Sequence, residues 1–478
     1  MLLLPLLLSA QNDKIKYSLS ISTLASDGEF APFWLQSLDY GKVFSTPNTS
    51  FASATLFKEY GDKRRIFDYA FKADFLVRSD LEIKGIYVPM KNDFYFHEIY
   101  AKARIFGFNM IAGSMEEIIG NQDSTLSSGG FIFSKNARPI PKVTIGFTDF
   151  VALPGSGNLF FIKGAISHGQ LLENAKATDA LLHHKYLYLR IHGSEFPFWV
   201  EGGVDHFAQW GGTFPRYGKM TVNLTNYIKM FFGKQGGSDA YLTDQINALG
   251  NHVISQSVKG GVNLGNYKLT AYWQNLSEDG PLKIFWGSMN KEDGLFGFSV
   301  KNKKMPFIQG FLYEFFNSTD QSGPFHDKDG MIYGGTDHYF QGDYGGWAYY
   351  GKTIGTPLIS SPLYFSEKNF RIVNSVVQAH HFGIEGGTGG FDYKLLATFS
   401  KNYGNPTALY TTMRSNSSLL FELNKKFGKQ QTLETKLSLG ADFGEMYGKN
   451  LGVLFTIKKS GDLFKLKPPK FLASPYAD

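Results

Sequence analysis

Apolar and polar residues alternate with period two from early in the chain. In Lys14-Ile15-Lys16-Tyr17-Ser18-Leu19-Ser20-Ile21-Ser22, the residues Ile15, Tyr17, Leu19 and Ile21 share one face of an extended strand. The pattern returns at residues 99–105, where a small or aliphatic face opposes Tyr100, Lys102 and Arg104. Further strands are predicted at 68–77, 295–300, 307–316, 381–385, 391–399, 418–423, 432–439 and 450–458, paired through short polar turns. Those turns include Gly61-Asp62-Lys63-Arg64-Arg65, Lys301-Asn302-Lys303-Lys304 and Gly386-Gly387-Thr388-Gly389-Gly390. Arg64, Arg65, Lys303, Lys304, Lys425 and Lys426 are expected at the rims of whatever the strands build.

Some stretches interrupt the strands. Residues 171–182, with Glu173, Ala175, Ala177 and Ala180, suit a short helix, residues 227–232 another, and 115–119 a single turn. Segments 120–169 and 321–362 are rich in Gly, Ser, Asn and Asp and are expected as long loops, at the surface or folded inward. No linker or compositional break divides the chain, which weighs against an array of soluble β-sandwiches. A long open sheet exposes its edges to aggregation, and closure into a barrel removes them. Strands with lipid on one side and a polar lumen on the other need this alternation. The expectation is an all-β fold: a transmembrane antiparallel β-barrel of about 16–18 strands at ~10 residues each, with a few short helices and long loops.

Composition agrees. Aromatic residues make up 16% of the chain and charged residues only 19%, too little charge to coat an ordinary soluble enzyme. With 0 Cys there is no disulfide framework, thiolate metal site or cysteine nucleophile. The +6 formal charge is mild for 478 residues, and no long basic tract marks a nucleic-acid face. The apolar run Leu2 to Leu8, ending in Ser9-Ala10, resembles a secretory signal with a cut after Ala10. The organisation expected is therefore a signal peptide at 1–10, a barrel at 11–465 and a tail at 466–478.

From Gly120 onward the chain carries distinctive runs. They are Gly120-Asn121-Gln122-Asp123-Ser124-Thr125-Leu126-Ser127-Ser128-Gly129, Asn136-Ala137-Arg138-Pro139-Ile140-Pro141-Lys142, Ser167-His168-Gly169 and His183-His184-Lys185-Tyr186. Asp205-His206-Phe207-Ala208-Gln209-Trp210-Gly211-Gly212, Asn247-Ala248-Leu249-Gly250-Asn251-His252, Glu278-Asp279-Gly280 and Asp293-Gly294-Leu295 follow, then Gly346-Trp347-Ala348-Tyr349-Tyr350-Gly351-Lys352. In this order they resemble the Wzi-type capsule assembly family, particularly its Bacteroidetes members. Pro32-Phe33-Trp34-Leu35 fits as well. Phe296 stands where the family favours Trp, and Pro281-Leu282 follow Glu278-Asp279-Gly280 where it has a small polar turn. The resemblance implies an outer-membrane barrel with surface-exposed loops and no enzymatic reaction. It implies capsular or exopolysaccharide as partner, beside outer-membrane lipid and other capsule export components.

Sugar recognition needs aromatic faces and oriented polar groups. His206, Gln209, Trp210, Asn251, His252, Trp273, Glu278, Asp279, Asp293, Asp337 and Trp347 are the candidates. Trp and Tyr in barrels also serve as interfacial girdles, the ordinary alternative for the aromatics. His183, His184, His206 and His252 raise a metal site, but adjacent histidines on a strand face opposite ways and no HExxH spacing occurs, so no metal or cofactor is expected. Glu278, Asp279 and Asp293 raise a glycoside hydrolase, for which carboxylates in polar turns are the plainer account. The competing function is an outer-membrane channel for sugars or other solutes.

Overall fold

The computed structural model describes residues 14–61, 66–80, 94–173, 176–193, 196–215, 218–241, 244–245, 248–278, 290, 292–321, 326–328, 331–333, 339–340, 342, 344–364, 371–428 and 430–465. The segment resembling a signal peptide, the tail at 466–478, Arg64, Arg65, Asp279 and Asp337 lie outside them.

The alternating segments form one 18-stranded antiparallel sheet that closes on itself. In chain order the strands are β1 (Lys14–Ser26), β2 (Asn48–Lys58), β3 (Phe67–Asp80), β4 (Phe94–Ile105), β5 (Phe108–Ser114), β6 (Lys142–Ala152), β7 (Phe160–Gln170), β8 (Leu181–His192) and β9 (Phe198–Trp210). They continue with β10 (Asn251–Leu264), β11 (Tyr267–Glu278), β12 (Gly294–Lys301), β13 (Ile308–Asn317), β14 (Val377–Thr388), β15 (Phe391–Asn405), β16 (Ala408–Phe427), β17 (Leu433–Gly444) and β18 (Asn450–Lys465). Each pairs with its chain neighbours, and β1 pairs with β18 along Lys14 to Ser26, which leaves no open edge.

The alternation is realised side chain by side chain. On β1, Leu19 and Ile21 are exposed on the outer wall, while Ser18 and Ser22 are buried on the inner one. Ile99 and Ile105 of β4 likewise point outward and Arg104 inward. The outer wall therefore offers lipid an apolar band, and the lumen keeps the polar positions. No helix among the described residues is long and apolar enough to cross a membrane; the crossing is made by strands.

The two ends differ. At one end strands join through short turns. In the β14–β15 hairpin, Gly389 and Gly390 take φ of 59° and 78°, the left-handed pair that a two-residue hairpin turn requires. Lys303 and Lys304 lie in the β12–β13 turn at this end, whereas Lys425 and Lys426 belong to β16 and are paired with β17. At the other end the connections are long, and residues 27–47, 115–141, 344–364 and 371–376 of them fold into the lumen.

Some local expectations fail. Segment 120–169 is not one loop, because β6 and β7 occupy much of it. Residues 171–182 form no helix among those described: Leu171 N–H donates to Ala180 O (2.8 Å), Thr178 bridges Thr213, and β8 starts at Leu181. Residues 115–119 form no helical turn and carry no regular secondary structure. The helix expected at 227–232 is present as α2, Leu224–Phe231, and a shorter α1, Phe33–Gln36, lies in the first inward loop.

Candidate functional site

The inward loops make a dry stopper at the loop end of the lumen. Phe131, Tyr339, Phe340, Trp347, Ile354, Ile359 and Ile372 are buried together, packed on the wall residues Phe207, Leu276, Leu312 and Phe316. Backbone bonds knit the loops: Thr356 N–H donates to Phe131 O (3.0 Å) and Ser134 N–H to Ile354 O (2.9 Å). Lys352 reaches from the last loop to the first, where its Nζ donates to Val43 O (2.6 Å) and to Gln36 O.

Polar wall residues fasten this stopper. Glu314 of β13 accepts from Ser127 and Ser128, and Gln274 of β11 accepts Phe131 N–H (2.9 Å) while donating to Gln122 (2.8 Å). Several residues singled out in the sequence belong to this fastening. Trp347 is fully buried and its indole N–H donates to Ile132 O (2.6 Å). Gln209 accepts from Asn251 (2.9 Å), and Glu278 accepts Phe340 N–H (2.8 Å). Asp293 accepts the backbone N–H groups of Asp320 (2.9 Å) and Gln321 (2.8 Å) and the Tyr339 hydroxyl (2.9 Å). Burial raises its carboxyl to about 6 against the pull of those donors.

The remaining described candidates face the other way. On β9, Asp205 and Phe207 point inward, so His206 and Trp210 point outward. His206 and His252 stack and share a hydrogen bond (2.7 Å), and His252 donates to Leu249 O (3.0 Å). Both are buried, as is Trp210, because α2 and Leu249 of the connection after β9 pack over the outer wall. His183 lies under the same arm, while its neighbour His184 points inward to Asp205 (3.2 Å), the opposite-face arrangement expected of adjacent strand histidines. Among the described residues, no cluster of His, Asp and Glu has the grouping of a metal site. Trp273 is on the lipid-facing side of β11, since Tyr272 and Gln274 beside it reach Glu314 and Gln122 inside. The structure thus divides the candidates between the stopper, the outer arm and the lipid face.

Below the stopper the lumen opens into a cavity of about 680 Å³. Its wall carries a hydroxyl stripe, with Ser20 bonded to Ser53 (2.8 Å) and Ser22 to Thr456 (2.9 Å). Beside it Glu422 sits between Lys394 (3.2 Å) and Lys436 (3.4 Å). A second cavity of about 310 Å³ is lined by Tyr60, Lys102, Asp149, Lys163, Tyr186 and Tyr188. Tyr100 and Glu116 border both. Glu116, on the loop after β5, accepts from His97 (2.9 Å) and pairs with Lys42 of the first inward loop (2.6 Å). Burial pushes its carboxyl up, but the bond from His97 and the charge of Lys42 outweigh that and hold it at about 2. Tyrosine faces, hydroxyls and paired charges suit a hydrated polyol better than an apolar ligand. None of the described residues singled out in the sequence as sugar-binding candidates lines either cavity. The signal for the lumen residues was the polar half of the strand alternation itself.

A closed 18-stranded antiparallel barrel, apolar outside and polar within, is an outer-membrane β-barrel. Among solved structures the fold is similar to Wzi of Escherichia coli, an outer-membrane protein involved in group 1 capsule assembly and a carbohydrate-binding β-barrel. The TM-score is 0.59 at 14% identity over 95% of this chain and 86% of that one. It also aligns with a BenF-like porin of Pseudomonas fluorescens (TM-score 0.49, 10% identity, 94% of this chain and 98% of that one). OccK5 of Pseudomonas aeruginosa aligns at TM-score 0.48 and 8% identity, over 94% of this chain and 98% of that one. No family model and no curated protein matches the sequence.

Proposed function

We propose that this protein is a non-catalytic outer-membrane barrel that binds or anchors capsular or extracellular polysaccharide at the cell surface. The observation that carries the reading is the stopper: buried aromatic and aliphatic side chains fill the loop end, the end that faces outward in such barrels. A channel needs a continuous wet path, and a dry core across the lumen favours holding over passage. The likeness to a carbohydrate-binding barrel supports the same role. In this reading the stopper residues hold the outer face in shape, and the tyrosine- and hydroxyl-lined lumen beneath offers sugar-compatible surface. An acid catalyst is disfavoured at Glu116, whose depressed carboxyl keeps no proton to donate near neutrality.

The cavity of about 680 Å³, lined by charges and hydroxyls, favours a second reading, a solute channel. Two measurements separate them. Deleting the gene in an encapsulated host is expected to release polymer, with wild type restoring attachment; unchanged retention overturns the anchoring role. Planar-bilayer recordings of the purified barrel are expected to show little conductance; steady porin-like currents move the channel to the front.

A further inference from the structure

The connection between β9 and β10 does something that the polysaccharide reading leaves unused. Its helix α2 lies outside the barrel, across the outer wall of β7 to β9. One face of α2 is buried: Asn226 and Met230 are covered, Tyr227 packs on Trp210, His168 and His183, and Phe231 on His183. Lys185 of β8 donates to Phe231 O and lies 3.8 Å from the centre of its ring. Asn223 caps the start by accepting Asn226 N–H (2.8 Å). The opposite face is apolar and open, with Leu224 73%, Ile228 48% and, just past the end, Phe232 65% exposed.

That open face continues the lipid-facing band. Strand register sets Ile145, Ile166, Lys185 and His206 side by side across β6 to β9. Ile145 and Ile166 are exposed like the rest of the band, whereas Lys185 and His206 lie beneath the arm. A helix packed on the outside of the wall next to such residues turns its free side to the same surroundings. Lys234, exposed just past α2, and Lys229 on its last turn sit at the polar edge of the stripe. An apolar stripe bordered by lysines is the pattern of a helix lying in a membrane interface.

We propose that α2 is an interfacial anchor, with Leu224, Ile228 and Phe232 seated among the acyl chains of the outer leaflet. The proposal rests on the barrel and its register, not on what the barrel binds. Because the chain has 0 Cys, single cysteines report position cleanly. Ile228→Cys, Leu189→Cys on the lipid-facing side of β8 and Lys449→Cys before β18 would each carry a bimane label. The full chain would be reconstituted in phosphatidylethanolamine–phosphatidylglycerol vesicles containing doxyl-labelled phosphatidylcholine. Heat-modifiable gel mobility checks that each variant is folded. The expected result is quenching of the Ile228→Cys label by doxyl lipid as deep as at Leu189→Cys, with little quenching by iodide. The Lys449→Cys label should show the reverse. An Ile228→Cys label that follows Lys449→Cys overturns the proposal. So do disulfide-linked dimers of the Ile228→Cys variant with no doxyl quenching, which would mean that the face meets a second copy instead of lipid.

Discussion

The carboxylate of Glu314 on the barrel wall accepts both the backbone N–H (2.7 Å) and the hydroxyl (2.6 Å) of Ser128 on the inward loop, and none of these groups touches water. The same carboxylate takes the Ser127 hydroxyl (2.7 Å) and the Tyr272 hydroxyl. One strand residue therefore sets the position of the loop that carries Phe131 into the stopper. Glu314→Ala strands several buried donors at once. The expected loss is about 3 kcal/mol or more, since each unsatisfied buried group costs ~1–3 kcal/mol. Bilayer recordings should then show openings that the wild type lacks. An equally quiet, equally stable variant would show that Glu314 does not hold the stopper.

Trp347 is the largest fully enclosed side chain of the last inward loop, edge-on to Phe207 (5.4 Å) and bonded through its indole to Ile132 O. Trp347→Ala leaves a cavity that the knitted loops cannot collapse to fill. A cost of about 3–5 kcal/mol is expected for such a truncation. Trp347→Phe keeps most of the volume and loses chiefly the hydrogen bond, so it should fall in between. The temperature at which the folded gel band converts to the unfolded one ranks the three.

Much of the barrel was legible because lipid and lumen impose opposite chemistry on alternate residues, and Ser18 to Ser22 or Tyr100 to Arg104 obey it plainly. The misreadings have physical causes. Val143 and Ile145 of β6 do alternate with Thr144, but the surrounding Gly, Ser and Asn drew the whole region toward loop. The alanines before β8 suggested a helix, where tertiary bonds to Ala180 and Thr213 keep the chain extended. Trp210 and His206 looked like sugar-binding candidates because composition does not reveal strand phase. Only the register of β8 to β10, with α2 and Leu249 packed over it, shows them buried on the outside.

Glu173 offers a pH test of loop packing. Its carboxylate accepts Tyr350 N–H, yet burial outweighs the pull of that bond and of Gly351 N–H and raises the group to about 7. A carboxyl raised above its ordinary 4.5 holds its proton in the folded state after the unfolded chain has lost its own. Its contribution to stability is complete below pH 4.5 and declines as pH rises through about 7. Glu116 has the opposite sign: its contribution is present above 4.5 and declines toward pH 2, so it leaves the higher window flat. Across pH 4.5 to 8 the wild type should lose stability relative to Glu173→Gln as pH rises toward about 7, so the two unfolding profiles differ in slope. Identical slopes would show that Glu173 is not buried at Tyr350.

The outward cluster separates holding from touching. Trp210 packs on Tyr227 of α2, and His252 joins His206 to Leu249 O at the far end of the same arm. If these side chains only pin the arm, a Trp210→Ala, His252→Ala variant should insert and retain polysaccharide on cells. It should also become readily cut by trypsin after Lys219, Lys229 or Lys234, all within the loosened segment. Truncating a buried Trp costs about 3–5 kcal/mol, and here the loss falls on the contact with Tyr227 that holds α2 to the wall. The contrary result is as clear: polymer lost from cells while the arm stays protected from trypsin would mean that these residues meet the ligand themselves. That outcome would place the polysaccharide on the outer flank of the barrel, beside α2, and not at its mouth.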